Sequence, residues 1–287
     1  MNTIQNRIKP LIPQPVWSAA RSAWYGFYRA TLWPSSQIHP WRRSSIQNLE
    51  RYKDIHAGKR CFIIGNGPSL KKTNLQFLEN EYTFGMNRIY LIYPELGFAT
   101  TYYLSINSLV IEQCAQDILE LPLPRFLSWR SKGYIEQALG KNGELPINSP
   151  ISFLHTTYTG QKFATDAAGR LWEGATVTYV ALQLAYHMGF KQVILIGVDH
   201  SFSTTGTPNT TVVSAGDDPD HFDSNYFGKG FRWQLPDLDT SEIAYHLAKQ
   251  NYAAAGREIL DATVGGKLTV FPKVEYESLF HDQTSIT

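Results

Sequence analysis

A short apolar run that ends in a glycine turn is the feature that most restricts how this chain folds. Residues 61–64, Cys-Phe-Ile-Ile, are typical of a strand that is covered on both faces of a sheet. Residues 65–68, Gly-Asn-Gly-Pro, then permit positive φ angles and a close approach of the backbone to a ligand. Such a turn leaves N–H groups free for a phosphate or a ribose, and Ser69 is placed to cap a following helical turn. The alternative is an ordinary structural turn of an α/β protein.

The rest of the chain alternates between strand and helix patterns. Strands are predicted at residues 61–64, 82–86, 99–106, 125–129, 151–155, 191–197 and 258–262. Helices or helical turns are predicted at residues 75–78, 109–119, 174–188, 241–255 (capped by Thr240 or Ser241) and 274–280. Residues 156–173 are polar and are expected to form an irregular loop. This alternation predicts an α/β fold with a Rossmann-like, doubly wound, mainly parallel sheet.

The first 57 residues differ in character from the rest. Residues 15–33 can form an amphipathic helix with an aromatic face. The segment carries no acid before Glu50, and its basic residues are Arg7, Lys9, Arg21, Arg29, Arg42 and Arg43. Tryptophan, tyrosine and arginine together are typical of a helix at a membrane surface, whereas packing on the protein's own domain or on a partner subunit is the alternative. We therefore predict an N-terminal segment (1–57) and a nucleotide-binding domain (58–287).

Charge and cysteine content narrow the class of protein. The chain has 26 Lys and Arg against 25 Asp and Glu, a balance that disfavours nucleic-acid binding. Cys61 lies in a predicted buried strand and Cys114 is the only other cysteine, which favours a reducing compartment. We see no secretory signal and no apolar run near the roughly 20 residues that span a membrane. The expected location is cytoplasmic, with peripheral contact to the inner membrane face.

Polar residues follow the ends of several predicted strands. Asn66, Asn87 and Asn107 lie in turns directly after strands, and Gly197 and Asp199 follow another. The carboxyl ends of parallel strands meet at one edge of the sheet, where ligands bind. Amide side chains both donate and accept hydrogen bonds, which suits a base, a ribose and a phosphate. We expect a nucleotide site formed by Gly65, Asn66, Gly67, Ser69, Asn87, Asn107, Gly197 and Asp199.

Residues 198–235 form the second concentration of reactive side chains, and they are predicted to form a lid-like loop. His200 and His221 are both candidates for a general base, since a histidine titrates near neutral pH. Lys229 and Arg232 are predicted to bind a diphosphate or a leaving phosphate. The acids Asp217, Asp218 and Asp220 can either bind a hard cation such as Mg²⁺ or form a solvated acidic turn.

Several of these motifs resemble a broad superfamily of transferases. The matching segments are residues 65–70 (Gly-Asn-Gly-Pro-Ser-Leu), Asn87, residues 181–197 with Asp199, and residues 225–228 (Asn-Tyr-Phe-Gly). The resemblance covers residues 58–280 and is nearest to an MptE-like bacterial group, named for 6-hydroxymethylpterin diphosphokinases. More distantly the chain resembles the Campylobacter-type CMP-sialic acid sialyltransferases and the motility-associated flagellin glycosyltransferases.

The resemblance to the sialyltransferases implies a cytidine nucleotide site at Asn66, Gly67, Asn87 and Asn107, with Gly197 and Asp199 against the nucleotide. The chain departs from that family in its catalytic residues. Lys229 stands where the family has its histidine base, and Ser201 where it has a tyrosine for the leaving phosphate. Gly174 and Val177 replace an arginine and a serine at the start of the long helix. The nucleotide motif is therefore retained while the catalytic set differs.

Three functional hypotheses follow. The favoured one is a glycosyltransferase for cell-surface glycans that uses a nucleotide-activated donor, CMP-linked, and needs no further cofactor. In it, His200 or His221 deprotonates a glycan or lipid-linked acceptor, and Lys229 and Arg232 stabilise the departing phosphate. The first alternative is a pterin-type diphosphokinase that uses ATP and Mg²⁺. The second alternative is a non-catalytic nucleotide-binding protein, and a homo-oligomer is compatible with all three.

Overall fold

The computed structural model describes residues 33–140, 149–158 and 160–280, together with Ala23, Phe27, Gly143 and Leu145. Eight strands form one sheet: β1 (Arg60–Ile64), β2 (Thr83–Met86), β3 (Tyr102–Ser105), β4 (Arg125–Ser128), β5 (Ile151–Thr157), β6 (Arg170–Trp172), β7 (Gln192–Ile196) and β10 (Glu258–Asp261). A separate antiparallel pair consists of β8 (Thr211–Val213) and β9 (Arg232–Gln234).

The large sheet has the order β10-β7-β1-β2-β3-β4-β5-β6, and each neighbouring pair is parallel. The chain moves outward from β1 to β6 and then returns to place β7 on the other side of β1. The strand order therefore reverses between β1 and β7, which is where open α/β sheets bind their ligands. The predicted doubly wound, mainly parallel sheet is confirmed.

Helices cover both faces of this sheet. They are α1 (Pro40–Tyr52), α2 (Tyr93–Leu96), α3 (Ser108–Glu120), α4 (Lys132–Leu139), α5 (Val177–His187) and α6 (Leu238–Ala254). Successive residues of β1 point to opposite faces, as strand geometry requires. Cys61 and Ile63 pack in the core that contains α5 and α6, whereas Phe62 and Ile64 pack in the core that contains α3 and α4.

The predicted amphipathic helix at residues 15–33 lies outside the described residues, apart from Ala23, Phe27 and Trp33. The helix α1 that follows packs against β5, and its Leu49 is buried in the core. Arg42, which was expected to add to a basic membrane-facing surface, is instead buried and donates to the carbonyls of Ala168 and Gly169. No helix in the described part of the chain has the length and apolar character needed to cross a bilayer.

Two predicted loops contain regular structure. The strand predicted to end at His155 continues to Thr157, and β6 follows within the segment predicted to be irregular. The loop at residues 198–235 contains the β8–β9 hairpin, and its aromatic residues Phe222, Tyr226 and Phe227 are buried. Helix α6 begins three residues earlier than predicted, because Asp237 rather than Thr240 or Ser241 is its N-cap.

Candidate functional site

A cavity of about 880 Å³ opens at the carboxyl edge of the sheet and is bordered by the ends of the strands from β1 to β7 and by the loop at 198–235. The predicted site residues that line it are Gly65, Asn66, Gly67, Asn87, Asn107, Gly197, Asp199, His200, Asp220 and His221. The predicted residues that do not line it are Ser69, Asp217, Asp218, Lys229 and Arg232. The structure thus brings the strand-end residues and both candidate bases to one cavity.

The glycines of the first turn are required by the neighbouring strand β7. A Cβ on Gly65 would lie 2.2 Å from the carbonyl oxygen of Gly197, and one on Gly67 would lie 1.8 Å from Oδ2 of Asp199. The N–H of Gly65 donates to Ile196 and that of Gly67 donates to Gly197. The expectation that these N–H groups are free for a phosphate is therefore wrong at both glycines.

Asp199 and Ser69 form a second link between the glycine turn after β1 (residues 65–68) and the turn after β7 (residues 197–199). The carboxylate of Asp199 accepts from the backbone N–H of Ser69 at 3.2 Å and from its hydroxyl at 2.7 Å. Gly67, not Ser69, is the N-cap of the 3₁₀ turn Pro68–Lys72. The predicted capping role of Ser69 is wrong, since its side chain holds the Asp199 carboxylate from behind the cavity wall.

Three asparagine side chains border the cavity with complementary groups. Asn87 and Asn107 use their Oδ1 atoms within the protein, accepting from Ser105 Oγ at 3.1 Å and from Leu109 N at 2.9 Å. Their amide NH₂ groups make no hydrogen bond to any residue described. Asn66 is oriented the other way, because its NH₂ donates to the carbonyl of Met86 while its Oδ1 is buried without a partner. Together these side chains offer two donors and one acceptor to a ligand.

His221 is held by the carboxylate of Asp218, one of the three acids predicted either to bind a hard cation or to form a solvated acidic turn. Its Nδ1 donates to Oδ2 of Asp218 at 2.8 Å, and its ring stacks on Tyr226 with a centroid separation of 4.0 Å. The Asp218 carboxylate also accepts from the N–H groups of Asp220 and Phe227, so it cannot turn away without losing them. Because Nδ1 carries the proton, Nε2 is left as an acceptor, and it makes no hydrogen bond within the described residues.

His200 has a weaker partner. Its Nε2 lies 3.1 Å from Oε1 of Glu242, whose side chain is 47% exposed, against 7% for that of Asp218. Its backbone has a φ of 53°, in the left-handed region. An exposed carboxylate holds an imidazole less firmly than a buried one, since water competes for both groups. The geometry therefore favours His221 over His200 as the base.

Lys229 and Arg232, which were predicted to bind a phosphate, do not face the cavity. Lys229 and Arg232 are exposed, and the Arg232 guanidinium pairs with Glu112 on α3 at 3.0 Å. Asp217 is exposed, while Asp220 accepts from the backbone and hydroxyl of Ser203. Within the described ranges no three His, Cys, Asp or Glu side chains come together as a metal site. Asp218 and Asp220 therefore accept hydrogen bonds within the loop, and Asp218 orients His221.

The ends of β4, β5 and β6 contribute residues that the sequence analysis missed. Arg130, Thr157 and Glu173 follow or end these strands and line the cavity. An Nη2 hydrogen bond joins Arg130 to Oε1 of Glu173, and the N–H of Glu173 donates to the carbonyl of Thr157. Arg130 and Thr157 follow the same rule as the asparagines, because polar residues at the carboxyl ends of parallel strands lie at one edge of the sheet. Thr157 was missed because β5 was predicted to end at His155.

His155, beside these residues, gives a prediction for the pH dependence of stability. Burial, aided by the positive charges of Arg170 and Arg42, lowers the pKa of His155 from 6.5 to about 4. Between those pH values the unfolded chain binds more protons than the folded chain, so the free energy of unfolding falls as the pH falls. We expect the wild type to lose on the order of 2 kcal/mol more than His155→Gln between pH 7 and 4.5.

Urea unfolding of both proteins at several pH values measures this difference. His246→Gln removes an exposed histidine and serves as the control, which should follow the wild type across the whole pH range. Parallel stability curves for His155→Gln and wild type would contradict the prediction.

Comparison with known proteins shows similarity to solved structures only, and that similarity is distant. No family model matches the chain, and no curated protein matches it in sequence. The fold is similar in part to the MAf glycosyltransferase of Magnetospirillum magneticum AMB-1, with 12% sequence identity and a TM-score of 0.43. The match covers 83% of this chain and 39% of that chain, so this chain spans about two fifths of the neighbour's length. The MptE-like resemblance stays a prediction, and function is inferred from the cavity.

Proposed function

We propose that this protein transfers a sugar from a nucleotide-activated donor, CMP-linked, to a hydroxyl group of an acceptor in cell-surface glycan synthesis. The observation that carries the proposal is that one cavity is lined both by Asn66, Asn87 and Asn107, with their unused polar groups, and by the His221 of the Asp218–His221 pair. The asparagines supply the base and ribose contacts of a nucleotide. The histidine supplies the base that a hydroxyl acceptor needs.

The reaction can be written with these groups. Nε2 of His221 takes the proton of the acceptor hydroxyl as its oxygen bonds to the anomeric carbon of the donor. The bond from that carbon to the nucleotide phosphate breaks, and the phosphate leaves with the electron pair. The N-terminus of α5 borders the cavity through Thr176 and Val177, and a helix N-terminus stabilises negative charge. It replaces Lys229 and Arg232 in the proposed phosphate role.

The diphosphokinase alternative receives less support from this geometry. It requires carboxylates free to hold Mg²⁺ beside ATP. Asp218 and Asp220 already accept hydrogen bonds from His221, from Ser203 and from the loop backbone.

Thermal unfolding with CMP, CDP, ATP and GTP, each with and without Mg²⁺, separates the glycosyltransferase from the diphosphokinase. A ligand at 100 times its Kd adds about 2.7 kcal/mol of stability. CMP alone should raise the Tm by several degrees, whereas stabilisation only by ATP with Mg²⁺ would favour the kinase.

Replacing Asn107 by aspartate should weaken CMP binding at least about tenfold, which corresponds to one lost hydrogen bond to a charged or polar group. The new carboxylate still accepts from Leu109 N and caps α3, because aspartate is as good an N-cap as asparagine. The change therefore removes the NH₂ donor that faces the cavity and leaves the helix intact. Calorimetric titration with CMP measures the affinity, and urea unfolding measures the stability.

Asn74→Asp is the matched control for that variant. Asn74 is also an N-cap, with Oδ1 accepting from Gln76 N, but it is exposed and lies outside the cavity. Its affinity for CMP should equal that of the wild type. Equal CMP affinity of Asn107→Asp and wild type would remove Asn107 from the nucleotide site.

A further inference from the structure

The end of the cavity formed by β4, β5 and β6 has unused hydrogen-bonding groups. Thr157 is 4% exposed and its hydroxyl has no partner, and Nε of Arg130 is likewise buried and unpartnered. A buried polar group without a partner is costly, so it is satisfied when a ligand or an ordered water supplies one. Oε2 of Glu173 also makes no hydrogen bond within the described part of the chain. These three side chains thus offer two donors and two acceptors at one place.

The Arg130–Glu173 ion pair at this end of the cavity is neutral overall, and the other cation in the lining, Arg170, is exposed to water, which weakens its attraction for an anion. Arg130 already pairs with Glu173, so an incoming anion would compete with that carboxylate and be repelled by it. His155 stays neutral near pH 7, because burial and the neighbouring Arg170 and Arg42 lower its pKa to about 4. A neutral ligand with several hydroxyl groups meets the site better, since each hydroxyl can accept from Arg130 or Thr157 and donate to Glu173.

Tyr158 gives the same end an aromatic wall. It follows Thr157 directly, its side chain lines the cavity, and its hydroxyl accepts from Nδ2 of Asn209 in the 198–235 loop. An aromatic face beside polar groups suits a ring that has one apolar face and a rim of hydroxyls. Strands in a sheet lie about 4.8 Å apart, so the end of β5 is about 14 Å from the end of β2 at Asn87. An acceptor bound at this end therefore extends along the cavity toward His221, whose neighbour Phe222 donates its N–H to the carbonyl of Asn66.

We infer that Arg130, Thr157 and Glu173 form a subsite for a neutral, polyhydroxylated acceptor, a carbohydrate rather than an anionic group. The inference rests on the proposed function, because it assigns the second substrate of the same cavity. The nucleotide end offers amide groups, whereas the acceptor end offers a neutralised ion pair and a free hydroxyl.

Thr157→Val tests the subsite with little effect on folding, since the hydroxyl that it removes makes no hydrogen bond. Saturation-transfer NMR of the full chain, with and without CMP, would use the methyl glycosides of glucose, galactose, mannose and N-acetylglucosamine, and methyl glucuronide as the anionic probe. We expect the wild type to bind at least one neutral glycoside and to reject the glucuronide. Thr157→Val should weaken the neutral glycoside at least fivefold and leave the affinity for CMP within twofold.

Two further variants sharpen the test. Thr83→Val is the matched control, because Thr83 is buried outside the cavity and bonds to Thr101, so its loss lowers stability but not glycoside binding. Glu173→Gln removes the negative charge beside Arg130 and should admit the glucuronide. Failure of every neutral glycoside to bind wild type, or unchanged binding by Thr157→Val, overturns the subsite even when CMP binds. Glycoside binding without any nucleotide binding would instead overturn the proposed function and leave the subsite standing.

Discussion

Replacing His221 by glutamine is expected to lower the kcat of sugar transfer by about 10² to 10⁴, the range that general acid–base catalysis contributes. Glutamine has no basic nitrogen, so the acceptor hydroxyl keeps its proton as it attacks. The binding of CMP should stay within about twofold, because the nucleotide contacts proposed above come from Asn66, Asn87 and Asn107. Release of CMP from the donor in the presence of acceptor measures kcat, and titration with CMP measures binding.

In the proposed reaction Asp218 acts only through His221, and substituting it separates a positioning role from a structural one. Asp218→Asn presents an amide that can donate to Nδ1, which favours the tautomer with the proton on Nε2 and removes the acceptor from the cavity. We expect kcat to fall by about 10² with an altered pH profile and with little change in the KM of the donor. A loss of stability without a change in the pH profile would mean that the carboxylate serves only to fold the loop.

The two histidines are distinguished by a pair of variants. His200→Asn preserves the left-handed backbone at φ 53°, which asparagine tolerates, and should reduce kcat far less than His221→Gln. His246→Gln, on the exposed side of α6, should have no effect. If His200→Asn lost as much activity as His221→Gln, the base would have to be reassigned to the histidine that faces Glu242.

What the sequence predicted follows from local physics. The alternation of strand and helix patterns determined the parallel sheet, and the rule that parallel strands end at one edge placed Asn66, Asn87 and Asn107 at one cavity. These inferences need only the pattern of each segment. They succeed for strands such as β7, where an apolar run is bounded by a polar residue and a glycine.

What the sequence did not predict depends on partners far along the chain. The glycine turn was interpreted as space for a ligand, but the space is filled by Gly197 and Asp199, more than a hundred residues away. Arg232 was predicted to face a phosphate, whereas the β8–β9 hairpin turns it toward Glu112. Asp218 was grouped with two other acids by proximity in sequence, yet its carboxylate accepts hydrogen bonds from His221 and from the backbone N–H groups of Asp220 and Phe227. Composition and spacing carry no information on such tertiary pairings.

The glycine turn after β1 and the turn after β7 at Gly197 are in contact. Gly65→Ala is therefore expected to destabilise the fold by about 3 kcal/mol, because the new Cβ overpacks this contact and weakens the hydrogen bonds between the turns. Its Cβ would meet backbone atoms of Gly197, at 2.2 Å from the oxygen and 2.6 Å from the carbon, and no side chain can rotate to relieve the contact. The ends of β1 and β7 must then separate, which strains the bonds from Gly65 to Ile196 and from Gly67 to Gly197. Urea unfolding measures the loss.

Gly67→Ala should cost less than Gly65→Ala, because the closest atom to its new Cβ is Oδ2 of Asp199, at the end of a side chain that can turn away, and the one backbone contact, with the Gly197 carbonyl oxygen at 2.9 Å, needs only a small shift. That movement gives up the Asp199 hydrogen bonds to Ser69, so a loss of about 1 to 2 kcal/mol is expected. Gly133→Ala, in α4, has no atom nearer than 3.9 Å to its Cβ and should raise stability by about 0.5 to 1 kcal/mol. A free energy of unfolding that is lowest for Gly65→Ala, intermediate for Gly67→Ala and highest for the wild type would support contact between the two turns as the reason for both glycines. Near-wild-type stability of Gly65→Ala, with loss of CMP binding alone, would instead return the turn to the role of a ligand contact.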